Sequence, residues 1–428
     1  MKLLLAATPL TGHLNPLLAI ARLAQARGDE VVVTTARAFA DRVAAAGLRC
    51  VPYADDDAPE FRATDLPAGP ERSRREFERR FLDPIPVQAA ALRALIAAER
   101  PDVVVAGTLF LGVLPLLLSD APRPPIVGYN VSFLFRDRAD GAPLGPGLPP
   151  ARDAAEAARY AAFGAAADAA FVNPVRAYAD AILLRLDARP LPASLTQSIL
   201  TLPDALIQPT VRAFEYPDGG LPERLRFVGA LPLPAGETAT PDWWPELDGG
   251  RRVVLVTQGT LANGDLGELL EPTLAALAHR DDLLVIATTG GRPVEAVRGP
   301  VPANARIARF LPFGALMPKV DLLVTNGGYG SVTLALAAGV PLVSAGVTED
   351  KAEIGARIAW SGAGLNLAAN APGPEAIRTA AEAVLADPRF RTRARDLALD
   401  FARHDTPREI LAVIDGAAST ALAHPAAA

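Results

Sequence analysis

At 428 residues, half of them hydrophobic, the chain has room for two or three domains with large apolar cores. Its formal net charge of −6, from 42 basic and 48 acidic side chains, leaves no electrostatic footprint for nucleic acid. The single cysteine, Cys50, excludes an intrachain disulfide and a cysteine-based metal cluster, and four scattered histidines (His13, His279, His404, His424) argue against a structural zinc site.

The chain opens on Leu3–Ala7, an apolar run that Thr8-Pro9, Gly12-His13 and Asn15-Pro16 interrupt too early for a signal sequence, so it reads as a first β-strand. A helix over Asn15–Ala26 closes at Gly28, Glu30–Thr34 is the next strand, a helix over Phe39–Ala46 closes at Gly47, and Leu48–Pro52 is a third strand. Residues 55–84 break the rhythm with Asp55-Asp56-Asp57 and Arg72–Arg80; the acidic triplet reads as a solvated face rather than a metal site. A helix over Pro86–Ala98 leads to the strand Val103–Ala106. The uncharged stretch Val103–Ser119 is broken by Gly107, Gly112 and Pro115, so strand then helix fits it better than a membrane span. Ile126–Tyr129 is a further strand, residues 136–150 a long Gly- and Pro-rich loop, Ala151–Ala167 a helix, Ala169–Val172 a strand and Pro174–Leu186 a helix. Prolines fill 187–224, which reads as short strands near a domain edge.

Residues 232–250, with Trp243-Trp244 inside, read as a linker. Beyond it come the strand Arg252–Thr257, the helix Leu266–Ala278, the strands Leu283–Thr288, Ala305–Phe310, Asp321–Val324, Val340–Ser344 and Gly364–Leu367, and helices over Pro374–Ala386 and Pro388–His404. Strands alternating with helices imply parallel sheets, so the expected fold is α/β, with two Rossmann-like doubly wound domains facing a central cleft. The domains are residues 1–231 and 251–405, followed by a C-terminal helix and tail over 406–428 whose last alanine-rich residues read as a frayed end. The protein reads as soluble and cytoplasmic.

Ligands in such sheets sit beyond the carboxyl ends of the strands. Three glycine-bearing turns fall there in the second half: Thr257-Gln258-Gly259-Thr260, Thr288-Thr289-Gly290-Gly291 and Thr325-Asn326-Gly327-Gly328-Tyr329-Gly330-Ser331. The last joins a buried strand to a helix, where open amides and the helix dipole favour an anion. Each turn alone is equally explained as a tight connection, but three at one sheet edge suit a pyrophosphate. In the first half, His13 follows the first strand and faces the same cleft; a histidine of pKa near ~6.5 suits general-base work. The turn around it lacks Gly-x-Gly-x-x-Gly, which counts against a dinucleotide fingerprint.

Thr325–Ser331 with Gly339-Val340-Pro341, Glu349-Asp350-Lys351 and Gly362-Ala363-Gly364 resembles the donor signature of nucleotide-sugar-dependent glycosyltransferases of the GT-B fold, above all those that decorate bacterial natural products. Thr8–Pro16 resembles that family's Gly-His-x-Asn-Pro segment, and Phe310-Leu311-Pro312 the opening of its donor motif. The resemblance spans both halves in the right order. It implies an inverting transfer from a UDP- or TDP-sugar to an acceptor hydroxyl; the amide cradle can hold the pyrophosphate with no metal, and the first-half phenylalanines with the 136–150 loop permit a lipophilic small molecule such as a polyketide, macrolide or phenolic aglycone. It further implies His13 as general base; Gly12, Gly259, Thr260, Asn326, Gly328 and Ser331 around the donor and its diphosphate; Phe310 and Leu311 at the base; and Glu349, Asp350 and Lys351 at the sugar. Thr108, Phe133 and Phe135 are candidates for the acceptor, and Phe61, Phe77 and Phe81 extend that aromatic set.

Four departures from the family pattern stand out. Asn326 replaces a histidine of the donor motif, Lys351 replaces a glutamine, and Phe313 replaces a polar residue near the base. The segment that usually supplies a carboxylate to orient the base reads Gly107-Thr108-Leu109-Phe110, with no acid; Thr108 or an acid from another loop is left to take that part. Two other functions share the architecture: a nucleotide-sugar 2-epimerase, against which the Gly12–Pro16 turn argues, and a catalytically weak nucleotide-sugar-binding auxiliary protein.

Overall fold

The computed structural model describes residues 1–53, 66–67, 69–217, 220–232, 239–260 and 263–423. Among the described residues, thirteen strands form two wholly parallel sheets. The first takes β1 (Lys2–Ala6), β2 (Glu30–Thr34), β3 (Arg49–Cys50), β4 (Val103–Gly107), β5 (Ile126–Tyr129), β6 (Ala205–Gln208) and β7 (Leu225–Phe227) in the order β3-β2-β1-β4-β5-β6-β7. The second takes β8 (Arg252–Thr257), β9 (Leu283–Thr288), β10 (Ala305–Ala308), β11 (Leu322–Thr325), β12 (Leu342–Ser344) and β13 (Gly364–Asn366) in the order β10-β9-β8-β11-β12-β13.

The strand order reverses beside β1 and β4 in the first sheet and beside β8 and β11 in the second. At such a reversal the flanking helices leave to opposite faces, and the crevice between them is where a doubly wound sheet takes its ligand. The central strands are runs of Leu and Val buried on both faces, as Leu3–Ala6 and Val253–Val256 show. Asp102 immediately precedes β4, at the amino edge of the sheet; its carboxylate accepts from the Lys2 amide at 2.7 Å, far from the crevice.

Several elements differ from the sequence reading. Ala169–Val172 is not a strand: Asp168–Val172 is a π-helical segment joining the helices Ala154–Ala167 and Asn173–Arg185. A second π-helical segment, Glu78–Leu82, joins Pro70–Phe77 to the helix Ile85–Glu99. A four-residue apolar run fits either period, and here the alanine-rich helix before it carries the chain through. The helical run Pro70–Glu99 is long and apolar enough to cross a membrane, with mean hydropathy 1.3 in its most apolar window. In the structure its Ala89 and Leu92 pack under β1 and β4, in a cluster with Leu4 and Val104. The linker carries a short 3-10 turn, Trp244–Asp248, whose Leu247 joins the core. The helix Thr406–Ala423 returns to the first sheet, where Ile410 and Ile414 pack with Leu3, Leu5, Val105 and Val127.

Candidate functional site

The first helix begins earlier than the sequence reading placed it, at Thr11, so Gly12 and His13 lie in its first turn at the carboxyl end of β1. Gly12 is exposed, and a side chain there would meet nothing. The imidazole of His13 is half-buried and stacks on Phe81 at 6.4 Å between centroids. Its Nδ1 is buried without a hydrogen-bond partner, so Nε2 is the ring nitrogen left to face the cleft. Burial and, after it, the Arg80 guanidinium push the His13 pKa down to about 4, while Glu349 of the second half pulls it up.

Thr108 is buried at the end of β4, and its hydroxyl donates to Asn130 Oδ1 at 3.1 Å. Asn130 donates in turn to the carbonyls of Ser132 and Phe133 and to Gln208 Oε1. Gln208 Nε2 donates to the Tyr329 hydroxyl at 2.7 Å, which ties the first domain to the glycine-rich turn of the second. Phe133 and Phe135 are buried edge-to-face, and Arg357 lies 4.3 Å over the Phe133 ring. Nearer His13, Phe81 packs on Phe77 at 4.9 Å, and Phe77 on Phe171 at 5.7 Å, so the two π-helical segments face each other through aromatic rings. Phe61 and Asp55–Asp57 lie outside the described residues.

In the second sheet the three glycine turns converge. Gly259 and Gly290 both have positive φ, and a β-carbon on Gly290 would lie 1.9 Å from the Gly259 carbonyl oxygen. Only glycine permits that approach. Asn263 holds the pair by donating to the carbonyls of Thr289 and Gly290. Phe310 lies over Gly291, half-exposed, while Leu311 beside it is buried. Thr260 is exposed at the rim. Behind Gly327, whose φ is 94°, Gly328 opens the helix Tyr329–Ala337 with no side-chain cap. The amides of the Gly330–Ser331 turn are therefore directed at the loop mouth, with the positive end of the helix dipole behind them.

Asn326 donates its amide nitrogen to the Gln258 carbonyl at 2.6 Å, which turns Oδ1 toward Gly259 and Gly328. The side chain thus clasps two of the turns together. Lys351 is buried with its stem against Gly327 and Gly346, and its Nζ meets Glu349 Oε2 at 2.5 Å. Glu349 holds a positive φ of 56°. Asp350 immediately precedes the helix Lys351–Ser361 without a side-chain capping bond, and the Ser132 hydroxyl of the first domain donates to its carboxylate. Burial raises the Asp350 pKa above the usual carboxylate range.

The sequence reading missed the residues that join the domains: Asn130, Ser132, Gln208, Glu215, Glu353 and Arg357. One signal was present. Glu353 and Arg357 stand one turn apart among Ala352, Ile354, Ala356 and Ile358, and paired charges inside an apolar helix mark a buried ion pair.

The erythromycin biosynthesis protein CIII-like C-terminal domain family matches residues 271–415. The 4'-demethylrebeccamycin synthase of Lentzea aerocolonigenes is 39% identical over 430 residues, covering 97% of this chain and 99% of its own. The UDP-glycosyltransferase 2 of Phaeomoniella chlamydospora is 34% identical over 442 residues, covering 96% and 94%. Among solved structures, the glycotransferase of kitacinnamycin superposes with a TM-score of 0.72 at 22% identity, covering 97% of this chain and 98% of its own. A spinosyn rhamnosyltransferase complexed with thymidine diphosphate does so with a TM-score of 0.69 at 20% identity, covering 97% and 100%. With both halves matched nearly end to end by these relatives and the whole chain superposing on these structures, this chain belongs to the glycosyltransferases of the GT-B fold, among the UDP-glycosyltransferases and their natural-product relatives.

Proposed function

We propose that this glycosyltransferase moves a sugar from a UDP- or TDP-linked donor, with inversion, to a hydroxyl of a lipophilic small molecule, with His13 as general base. The observation that carries this reading is the placement of His13 at the strand-order reversal of the first sheet, while Gly259 and the Asn326–Ser331 loop occupy the reversal of the second. Relatives named as UDP-glycosyltransferases and a neighbour holding thymidine diphosphate support a nucleotide-linked donor.

In this reading the acceptor oxygen attacks the anomeric carbon as its bond to the diphosphate oxygen breaks, and the nucleoside diphosphate leaves with the electron pair. The acceptor proton passes to His13 Nε2. The amides around Gly259 and Gly328–Ser331 meet the developing charge, so the leaving group needs no metal. Phe310 offers its half-exposed face to the base, and Asp350 with Lys351 reaches the sugar.

His13 supplies a base that is free of its proton at neutral pH but weak, because burial and then the Arg80 guanidinium lower its pKa and no hydrogen bond at Nδ1 offsets them. General-base help is worth roughly 10²–10⁴-fold and falls with basicity. A weak base suits an acidic hydroxyl, and the Phe77–Phe81–Phe171 cluster beside it suits a flat ring. A phenolic acceptor fits both. The test is a matrix of UDP- and TDP-sugars against phenolic and aliphatic aglycones in EDTA, read by mass, with product anomers assigned by NMR. Transfer to phenols with inverted configuration is expected; retention, or strict Mg²⁺ dependence, overturns the reading.

A further inference from the structure

The helix Lys351–Ser361 bears the two residues assigned above to the sugar at its amino end, and nearly all its side chains are buried. Besides Lys351, two of these are ions, Glu353 and Arg357. Arg357 Nε donates to Glu215 Oε2 of the first domain at 2.8 Å, and its Nη1 donates to Glu353 Oε2 at 3.0 Å; the three side chains are 1–3% exposed. The guanidinium lies 4.3 Å over the rings of both Phe133 and Tyr216, also of the first domain. The remaining carboxylate oxygens are satisfied from the same side: Glu215 Oε1 by the Leu134 amide, and Glu353 Oε1 by the amides of Gly145 and Gly147.

Stability alone does not call for such a cluster. Well-packed apolar side chains of similar volume would hold the two domains together as firmly, because desolvating three ions offsets most of their attraction. Ions supply direction instead: a guanidinium fork fixed by two carboxylates and two rings admits little rotation or sliding. Arg357 stands six residues beyond Lys351, about 9 Å along the axis at ~1.5 Å per residue. Any slide of the helix at Arg357 therefore reappears at Asp350 and Lys351.

We propose that Arg357 is a positioning residue for sugar transfer: clamped by Glu215 of the first domain, it sets the height and rotation of the helix Lys351–Ser361 and thereby the placement of Asp350 and Lys351 on the donor sugar. The sugar site is complete only when the acceptor-binding domain is docked. The proposal rests on the reading that Asp350 and Lys351 hold the sugar. The nucleoside diphosphate, by contrast, is assigned to the turns of β8, β9 and β11, and the hydrogen bonds of this cluster go instead to Leu134, Gly145, Gly147 and one another.

That contrast gives the experiment. Glu215→Gln keeps the shape and the acceptor for Leu134 but removes the charge; Glu215→Gln/Arg357→Met removes both charges of the cross-domain pair. For each, the Kd of free UDP or TDP is measured by calorimetry, and kcat and KM for the nucleotide sugar well below the variant's Tm. Diphosphate affinity within about twofold of wild type, with kcat/KM for transfer lowered on the order of 10- to 100-fold, is expected for a misplaced sugar. Unchanged kcat/KM in both variants overturns the proposal, as does a parallel loss of diphosphate binding, which marks general collapse. Asp350→Asn separates the underlying reading. If Asp350→Asn transfers normally, the sugar-site assignment fails and this inference with it; if only the Glu215 variants transfer normally, the inference alone fails.

Discussion

His13 answers two opposing demands with one placement. Packed on Phe81 with Nδ1 sealed from water, it is neutral and able to accept a proton across the physiological range, yet among the described residues no carboxylate hydrogen-bonds its Nδ1. Its folded pKa of about 4 lies below the ordinary ~6.5, so the neutral form persists to unusually low pH. The acid limb of the kcat/KM profile, which reports the free enzyme's base, should therefore fall near pH 4 rather than near 6.5. Glu349 raises this pKa, so Glu349→Gln should move the limb further toward acid. A limb near 6.5 in the wild type would show that the ring is solvated in solution. His13→Ala should lower kcat roughly 10²–10⁴-fold with the donor saturating, and near-normal turnover would remove it from the base role. Asn326 poses a different question, because its nitrogen is already committed to Gln258. Asn326→Asp would set a carboxylate against that carbonyl and against the diphosphate. Affinity for UDP or TDP should drop at least tenfold, about 1.4 kcal/mol, as calorimetry would read it.

At the scale of elements, the glycine turns show what sequence can and cannot reveal. The strands β8, β9 and β11 were legible because β-branched runs of this length, bounded by glycine, have few other uses, and their turns were correctly placed at one sheet edge. Backbone-to-backbone contact between Gly259 and Gly290 was not legible, since nothing in the sequence ties two turns about thirty residues apart. It makes a sharp prediction. Gly290→Ala would place a methyl 1.9 Å from a carbonyl oxygen at a φ of 62° and must displace one turn. The left-handed conformation alone costs roughly 1–2 kcal/mol, and nucleotide binding should weaken more than tenfold. Gly264→Ala, where a methyl meets open space, is the matched control and should bind nucleotide as wild type does. The misreading of Ala169–Val172 has a plain cause: Ala, Phe and Val suit either period over four residues, and the π-helical register that resolves it depends on Phe171 meeting Phe77 far along the chain.

At the scale of the whole molecule, the contacts that join the domains were invisible in the sequence for a physical reason. Arg357 and Glu215 are 142 residues apart, and Ser132 and Asp350 are 218 apart; nothing local in the chain pairs either couple until the two sheets face one another. The same holds for the helix Thr406–Ala423, which follows the second domain in sequence but completes the core of the first. Ile410 and Ile414 are fully buried against Leu3, Leu5, Val105 and Val127, and the crossing is tight enough that a side chain on Gly229 would strike His404 and Thr406. The first domain therefore depends on residues that follow the second in sequence, and its stability cannot be separated from the chain that spans the second. Deleting residues 406–428 would expose an apolar face on the first sheet. Each isoleucine lost from that core is worth roughly 2–5 kcal/mol as a truncation to alanine, against a total stability of roughly 5–15 kcal/mol for a domain. The truncated chain should thus lose the first domain's fold, and with it His13, while Ile410→Ala should lower the melting temperature without altering diphosphate affinity. Calorimetry should show the intact protein melting in one cooperative transition. A truncated chain that keeps its Tm and its transfer activity would mean that the returning helix only covers the sheet and does not hold it.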